Sequence, residues 1–221
     1  MERTIQLIGQ ESFDRLQQAR VILFGVGGVG GWCAEALVRT GLKHLTIVDF
    51  DTVAVSNLNR QVVATAANIG QSKVVAMRER LLAIVPDADI VTIEQRYSDE
   101  TAPLYDFNQY DLVIDAIDDL EAKARLIYEV TQSQAELLCS MGAGRKLDPQ
   151  QIHVAEFWKV EGCPLARALR TKIRKTQLFP ARKFRCVYSP EISGTQGTLA
   201  PVVGTFGMQL AALAIEALTK P

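Results

Sequence analysis

The chain has 221 residues, of which 48% are hydrophobic and 22% are charged, and its formal net charge is -1. This length and composition are typical of one large α/β domain with a full core. A charge so near zero excludes attraction of nucleic acid by the whole molecule, so we expect no DNA partner, although a local basic patch can still bind RNA.

The first predicted elements are a helix, a strand, a glycine turn and a second helix. Glu11 to Gln18 is predicted as a short amphipathic helix, Val21 to Phe24 as a buried strand, and Trp32 to Arg39 as a helix. The turn between strand and helix contains Gly25, Gly27, Gly28 and Gly30. A glycine turn that leads into a helix N-terminus favours phosphate. Taken alone, the same pattern also arises where a backbone merely turns tightly.

The second predicted strand adds a polar series that suits a nucleotide. Leu45 to Val48 is followed by Asp49, about 20 residues after the glycines, where a carboxylate accepts hydrogen bonds from ribose hydroxyls. Further polar residues follow in one loop and the next helix: Asp51, Asn57, Arg60, Gln61 and Lys73. Arg and Lys offer charge that matches phosphate oxygens, so the series favours a triphosphate. A solvated surface pair is the alternative for the two cations.

Strands and helices then alternate along the chain. The predicted helices are Lys73 to Val85, stopped by Pro86, and Leu120 to Ser133, and the predicted strands are Ile90 to Glu94, Leu112 to Ala116 and Leu137 to Met141. This alternation predicts an α/β fold with a doubly wound, mostly parallel Rossmann-like sheet and helices on both faces. Ligands of such sheets bind at the carboxyl ends of the strands, where the polar residues lie.

Two aspartates follow the strand at Leu112 to Ala116. Asp115 and Asp118 supply hard oxygen ligands that can bind a Mg²⁺ ion bridging phosphates. A helix begins directly afterwards, so Asp118 or Asp119 can instead serve as its N-cap, and both roles can be filled by different aspartates.

The sequence becomes less regular after Gly144. Gln151 to Trp158 is predicted as a strand, and a charged stretch with prolines and glycines follows, which we expect to form a mobile excursion. The terminal helix is predicted at Gly204 to Leu218. The apolar run that contains it, 199–218, is interrupted by polar residues and does not reach roughly 20 unbroken apolar residues, so we expect a core helix and no membrane span.

Basic residues cluster in the charged stretch: Arg167, Arg170, Lys172, Arg174, Lys175, Arg182, Lys183 and Arg185. Such a cluster can bind an RNA backbone. It is equally compatible with a solvated amphipathic helix whose apolar face is formed by Leu165, Ala168, Leu169 and Ile173.

The cysteines are scattered and form no CxxC pair: Cys33, Cys139, Cys163 and Cys186. Because no secretory signal precedes them, we expect reduced thiols in a cytoplasmic protein, with neither a disulfide nor a structural zinc. His44 and His153 lie apart from any cluster with metal-ligand spacing and are interpreted as polar residues that flank strands.

Three motifs, GVGGVG, DFDTVAVSNLNRQ and GQSK, resemble the ubiquitin-activating-enzyme-like superfamily, which includes the molybdopterin- and thiamine-pathway adenylyltransferases. The resemblance implies one ThiF-type ATP-binding domain in which Gly28 approaches the phosphates and Asp49 holds the ribose. It further implies triphosphate contacts from Asn57, Arg60 and Lys73 and a Mg²⁺ ligand at Asp118. Superfamily members are symmetric dimers in which an N-terminal arginine reaches the partner's nucleotide, a place that Arg3 matches, although an exposed terminal charge is an even alternative.

The stretches GAGRKLDPQQIHVAEFWKV, CPLARALR and FRCVYSPE look like the bacterial tRNA threonylcarbamoyladenosine dehydratase family. This resemblance implies ATP-dependent adenylation of the threonyl carboxylate on a modified adenosine of the tRNA anticodon loop, then ring closure with loss of water. The catalytic residues would be Arg60, Lys73, Asp118 and Arg3, and tRNA would contact Arg167, Arg170, Arg174 and Lys175. Cys163 stands where that family usually has Asp. Cys186 is the thiol expected to lie nearest the site, and the alternative is that it is a buried, unreactive thiol.

The resemblance divides the chain into an N-terminal arm at 1–20, an ATP-binding core at 21–145 and a substrate-facing segment with the terminal helix at 146–221. A sulfur-relay partner protein is a further expected contact. Two other functions stay open: an adenylyltransferase that activates the C-terminus of a ubiquitin-like sulfur carrier, and a NAD-binding redox or nucleotide-sensing protein. The triphosphate-binding residues argue against the second, since a dinucleotide gives no obvious use for that charge.

Overall fold

The computed structural model describes residues 1–220. Its helices are α1 Glu2–Ile8, α2 Gln10–Gln18, α3 Gly30–Thr40, α4 Lys73–Ile84, α5 Leu120–Gln132, α6 Pro164–Thr176 and α7 Ala200–Thr219. Its strands are β1 Arg20–Phe24, β2 His44–Val48, β3 Asp89–Ile93, β4 Leu112–Asp115, β5 Glu136–Ser140, β6 His153–Glu156 and β7 Arg185–Tyr188. The strands form one seven-stranded sheet in the order β3-β2-β1-β4-β5-β7-β6.

The sheet is parallel from β3 to β7, and only β6 at its edge runs antiparallel. β1 pairs with β2 on one side and with β4 on the other, so the strand order reverses between these pairs. A ligand crevice forms at such a switch point, outside the carboxyl ends of the strands. The predicted doubly wound, mostly parallel fold is confirmed.

Two hydrophobic clusters cover the two faces of the sheet. One cluster joins α2, α3, α4 and α7 and includes Leu37, Met77 and Phe206, and the other joins α5 and α6 and includes Leu126 and Leu169. Within β1, alternate side chains point to opposite clusters, because successive residues of a strand face opposite sides of the sheet. Burial on both faces explains why the central strands are mostly apolar and do not alternate between apolar and polar residues.

The terminal helix α7 is long and apolar enough to span a membrane by length and composition. In this fold it packs along α3 at very short range, and Gly207 permits the approach, since an added Cβ would lie 2.6 Å from the Val29 carbonyl oxygen. The helix is therefore a core element, as the sequence predicts. It begins at Ala200 and not at Gly204, because Pro201 lies in the first turn, where a missing N–H costs nothing.

The segment expected to be an irregular excursion contributes regular structure instead. It holds α6 and β7, and β7 extends the sheet by pairing with β5 and β6. The predicted strand at Gln151 to Trp158 is shorter, because 3-10 turns capped by the Asp148 and Glu156 side chains flank β6. The helix α1 was not predicted, and it has no buried residue.

Candidate nucleotide site

The glycine turn packs the backbone between β1 and α3 so closely that no side chain fits. Gly25 has a φ of +89°, and a Cβ there would lie 2.7 Å from the Ala116 carbonyl oxygen. A Cβ at Gly30 would lie 1.8 Å from the carbonyl oxygen of Gly25. The Gly31 N–H donates to the Gly27 carbonyl at 3.1 Å, but no side chain caps the α3 N-terminus, so the remaining N–H groups of its first turn are available to an anion.

Asp49, at the end of β2, is held by backbone donors. Its Oδ2 accepts the Val26 N–H at 2.7 Å and its Oδ1 accepts the Asp51 N–H at 2.9 Å. Burial raises the pKa of this carboxyl above its ordinary value, although the two N–H groups and the charge of Lys73 oppose that rise. Each oxygen keeps a lone pair, so the fixed carboxylate can still accept ribose hydroxyls.

Among the expected triphosphate-binding side chains, Lys73 and Asn57 are buried and Arg60 is half-buried, and local bonds fix all three. Lys73 is 5% exposed, and its Nζ lies 2.7 Å from Oδ2 of Asp51. The Asn57 Oδ1 accepts the Ala54 N–H at 3.0 Å, which leaves the amide NH₂ free to donate. The Arg60 guanidinium donates to the Ser56 carbonyl at 2.7 Å, so one edge of its fork is anchored and the other nitrogens can meet phosphate.

Gln61 lies buried below the glycine turn. Within residues 1–220 its Oε1 has no hydrogen-bond partner. Its Nε2 would be 3.8 Å from a Cβ placed on Gly27. Buried side-chain oxygens are normally bonded, so this one is expected to take a ligand or a water.

The three aspartates at the end of β4 and just after it have three different environments. Asp119 caps α5 by accepting the Ala122 N–H at 2.9 Å, a bond that lowers the pKa of Asp119, and it also pairs with Arg96 at 2.9 Å. Asp118 lines the cavity described below. Asp119 therefore fills the predicted N-cap role, and the predicted metal-ligand role of Asp118 stays a prediction.

Asp115 cannot ligate a metal, contrary to the sequence interpretation. It is fully buried, and its Oδ1 lies 2.7 Å from Nζ of Lys123, which is also fully buried. The two groups are close enough to form an ion pair, although the geometry at the Lys123 Nζ does not meet that of a hydrogen bond. The same Oδ1 accepts the Ile117 N–H at 3.0 Å, so the pair fixes the turn that presents Asp118.

One cavity of about 580 Å³ lies at the carboxyl ends of β1, β2, β4 and β5. Most of the predicted site residues line it: Gly25, Gly27, Gly28, Asp49, Asp51, Asn57, Arg60, Gln61, Lys73 and Asp118. Gly30 does not, because its role is the close packing described above. Within residues 1–220, no group of three or more His, Cys, Asp or Glu side chains is placed to hold a metal.

Sequence reasoning missed several lining residues. Phe50 and Arg96 face each other at one end, with the guanidinium carbon 5.4 Å from the ring centroid. At the other end the lining comes from 140–144, Leu165, Thr198 and Val203. The position of 140–144 directly after a predicted strand was an available signal, whereas nothing local marks Leu165 or Thr198.

The basic cluster divides into structural and free cations. Arg170 donates to the carbonyls of Phe157 at 3.1 Å and Val160 at 2.9 Å, and Arg182 donates to carbonyls at the end of α5 and just beyond it. Arg170 is therefore a structural residue, contrary to the expectation that it contacts tRNA. Lys172 pairs with Glu121, and Arg185 pairs with Glu136 and Glu216. The exposed cations of α6 are Arg167, Arg174 and Lys175.

Two further predicted residues lie away from the cavity lining. Arg3 is exposed on α1, outside the lining. Cys186 has no exposed surface and is paired in register with Cys139 on β5, so its thiol does not open into the site. All four cysteines are unpaired and buried.

Comparison with known proteins places the chain in a family. The model of the ThiF family matches residues 1–221. The tRNA threonylcarbamoyladenosine dehydratase of Haemophilus influenzae is 38% identical over 182 residues, which cover 81% of this chain and 70% of that protein. The protein of the same name from Bacillus subtilis is 38% identical over 168 residues, 76% of this chain and 66% of its own length.

A solved structure agrees with this sequence similarity. The crystal structure of the E. coli tRNA N6-threonylcarbamoyladenosine dehydratase in complex with AMP superposes with a TM-score of 0.93 at 32% identity, covering 99% of this chain and 93% of that one. The matching fold places the glycine turn and the polar loop residues at the switch point of the sheet. The chain belongs to the ThiF family.

Proposed function

We propose that this protein adenylates the threonylcarbamoyl carboxylate of threonylcarbamoyladenosine in tRNA with ATP and then closes the ring to cyclic threonylcarbamoyladenosine. The observation that carries the proposal is the convergence of Asn57, Arg60, Lys73 and Asp118 on one cavity behind a glycine turn. The cavity volume suits a nucleotide with room for a second reactant. The names of the similar proteins supply the nature of that reactant.

The protein's first task is to place ATP. Asp49 accepts the ribose hydroxyls, and the N–H groups at the start of α3 meet the phosphates. Arg60 and Lys73 oppose the negative charge that develops on pyrophosphate as it leaves. Because these groups are already held by local bonds, little reorganisation is needed at the moment of reaction.

Asp118 is proposed to hold Mg²⁺ against the phosphates. One carboxylate is sufficient, since Mg²⁺ is usually bound by one or two carboxylates plus substrate phosphates and water. The ion supplies charge neutralisation at the phosphate oxygens. The capping of α5 by Asp119 and the buried pair below Asp118 keep that carboxylate at the mouth of the turn.

The chemistry needs no side-chain nucleophile. A carboxylate oxygen attacks the α-phosphorus, pyrophosphate leaves, and an acyl-adenylate forms. The neighbouring carbamoyl nitrogen or oxygen then attacks the activated carbonyl, and AMP carries away the oxygen that was lost. The protein contributes placement and charge stabilisation, which can supply most of such a rate enhancement.

The assembly and location extend the same proposal. We propose a cytoplasmic homodimer in which Arg3, exposed on α1, reaches the nucleotide of the partner subunit. The chain would act as one domain with its arm at 1–20, its ATP-binding core at 21–145 and a substrate-facing segment at 146–221. A sulfur-relay protein is a proposed docking partner.

Nucleoside mass analysis tests the reaction directly. Purified protein is incubated with ATP, Mg²⁺ and threonylcarbamoyl-modified tRNA, and the digested nucleosides are weighed. We expect loss of one water from the modified adenosine, together with one pyrophosphate and one AMP per product. Unchanged nucleosides in the presence of active ATP binding would overturn the proposal.

Pyrophosphate exchange separates the rival functions. Exchange stimulated by modified tRNA and by no ubiquitin-like protein agrees with the proposed reaction. Exchange stimulated only by a ubiquitin-like C-terminus would assign the site to a sulfur carrier. Failure to release pyrophosphate under any condition would favour a nucleotide-sensing or redox protein.

A further inference from the structure

The cavity is longer than the part assigned to the nucleotide. Along the sheet, Asp49 follows β2, the glycine turn follows β1 and Asp118 follows β4. The next strand is β5, and its end, 140–144, lines the cavity without any nucleotide-binding group assigned to it. If ATP fills the site from β2 to β4, the reacting partner enters over β5.

Two loops meet at this end, where Gly144 and Thr198 line the cavity, and we call residues 144–148 and 189–198 together the rim clamp. The Lys146 Nζ is buried and donates to the carbonyls of Ser189 at 2.9 Å and Glu191 at 2.6 Å. In return the Glu191 carboxylate accepts the N–H groups of Leu147 at 2.9 Å and Asp148 at 3.0 Å. The clamp is thus fixed by charge-assisted bonds in both directions.

Arg145 lies in the middle of the rim clamp in an unfavourable backbone conformation. Its φ is 62°, and within residues 1–220 only one other non-glycine residue, Gln177, has a positive φ. Bonds on both sides hold it there, since its N–H donates to the Gly197 carbonyl at 2.9 Å and its own carbonyl accepts the Ser193 N–H at 2.8 Å. Glycine would adopt this conformation more cheaply, so the side chain is the feature to explain.

The Arg145 side chain is exposed next to the cavity. Gly144 before it lines the cavity, while Arg145 itself does not. One nitrogen donates to the Ser193 carbonyl at 3.2 Å, and no carboxylate within residues 1–220 forms an ion pair with it. The guanidinium therefore keeps most of its planar donor fork for an outside anion.

Helix α6 also contributes to this end of the cavity. Leu165, in the first turn of α6, lines the cavity and lies 3.8 Å from the Cβ position of Gly142. Arg167, two residues later, is exposed. Because residues two apart on a helix do not share a face, Arg167 is not placed beside Leu165, and the exposed guanidinium next to this end of the cavity is that of Arg145.

We propose that Arg145 binds a backbone phosphate of the RNA substrate and positions the modified nucleotide over the β5 end. A phosphodiester fits better than the reacting carboxylate, because the carboxylate must enter the cavity whereas Arg145 stands outside its lining. The inference rests on the proposed function only for the identity of the nucleotide. Arg145 acts by positioning, and the reacting atoms are left to the residues of the nucleotide site.

The test compares two glycine variants that relieve the same backbone strain. Arg145→Gly removes the proposed contact, and Gln177→Gly, at the end of α6, removes none. Both are expected to keep Tm within about 3 °C of the wild type, since relief of strain offsets the greater freedom of the unfolded chain. Arg145→Lys keeps the charge without the planar fork.

Binding of modified tRNA is measured by fluorescence anisotropy over a range of salt concentrations, and turnover by pyrophosphate release. For Arg145→Gly we expect Kd and KM for tRNA to rise about three- to tenfold, and the slope of log K against log salt to fall by about 0.7. KM for ATP and kcat at saturating tRNA should be unchanged. Gln177→Gly should match the wild type, and Arg145→Lys should lie between.

The outcomes separate this inference from the proposed function. Equal tRNA affinity and salt slope in Arg145→Gly and Gln177→Gly would overturn it, as would a change in kcat or in KM for ATP alone. If the wild type binds tRNA through Arg145 but never dehydrates it, the proposed function fails and the contact stands. If the wild type dehydrates tRNA and Arg145→Gly does so equally well at limiting tRNA, only the contact fails.

Discussion

The nucleotide end and the β5 end of the cavity present their polar groups in opposite ways. At the nucleotide end, Asp49, Asn57 and Lys73 are each less than one tenth exposed and are bonded to neighbouring groups. At the β5 end, the lining side chains are mostly small or apolar, and the exposed Arg145 lies just outside that lining. Fixed buried groups suit a reaction common to all substrates, whereas exposed cations suit recognition of a large polyanion.

The largest expected effect tests what supports the nucleotide end from below. Lys123→Met leaves the Asp115 carboxylate buried without a counter-ion, which should lower the free energy of unfolding by about 3–5 kcal/mol. Lys172→Met is the matched control, because it breaks the more exposed pair with Glu121 and should cost less than about 1 kcal/mol. Urea denaturation measures both. Equal losses of unfolding free energy in the two variants would show that the buried pair does not anchor the turn before Asp118.

The next effect tests the chemistry of the nucleotide end. Lys73→Ala removes a buried cation from the leaving phosphates and should lower kcat for pyrophosphate release by about 10²- to 10³-fold. Lys43→Ala, which removes a lysine paired with the exposed Asp87, should change kcat by less than about twofold. Melting curves must show both variants folded. A Lys73→Ala protein with nearly full turnover would exclude the lysine from catalysis.

A smaller effect tests the cations of α6. The triple variant Arg167→Ala, Arg174→Ala, Lys175→Ala should weaken tRNA binding and lower the salt slope by about 2, if each cation meets one phosphate of a single strand. Arg170→Ala should leave the slope unchanged and cost about 1–3 kcal/mol of stability, since two carbonyls lose their donor. If the triple variant kept the salt slope of the wild type, the cations of α6 would belong to a solvated helix face that does not bind tRNA.

The smallest effect concerns the brace between α3 and α4, the helices that begin at the glycine turn and at Lys73. Glu35 on α3 pairs with Arg80 of α4 at 2.5 Å and with Arg39 at 2.8 Å. Burial tends to raise the pKa of Glu35, but the bonds to both arginines outweigh it and the pKa is lowered.

A group with a depressed pKa stabilises the fold above its unfolded pKa, about 4.3 for Glu, and loses that contribution as the pH falls through the folded value. The stability of the wild type should therefore exceed that of Glu35→Gln near neutral pH. The difference should shrink as the pH falls below about 4. Urea denaturation from pH 7 to 3 measures it, and a difference independent of pH would exclude the charge as its cause.

The nucleotide end could be predicted from sequence because its residues are close in the chain. The run from Gly25 to Lys73 supplies the turn and most of the polar side chains that line the cavity, and their proposed ribose and phosphate roles follow from residue type and spacing together with the family resemblance. Whether an aspartate lies inside a strand or after its end was harder to predict. Asp115 and Asp118 have the same chemistry, but the first is still inside β4 and is neutralised by a lysine that the sequence places on the next helix.

The β5 end resisted prediction because distant segments build it. Lys146 bonds to carbonyls 43 and 45 residues later, and Asn59 donates to the carbonyl of Thr198, 139 residues away. The strand β7 has only four residues, and Arg185 at its start finds its partners, Glu136 and Glu216, only in the folded chain. The local periodicity of hydrophobic residues does not predict contacts between such distant segments.

The missing side chain of Gly207 has a consequence for repeated turnover. Helix α7 packs against the backbone of Val29 and Cys33, so the backbone amides at the start of α3 have no space into which they can move. In the proposed reaction, those amides should keep their orientation towards the phosphate position when pyrophosphate departs. The site is then ready for the next ATP without rearrangement. Any larger residue at Gly207 should displace the amides at the start of α3, although Gly207 itself lies outside the cavity lining.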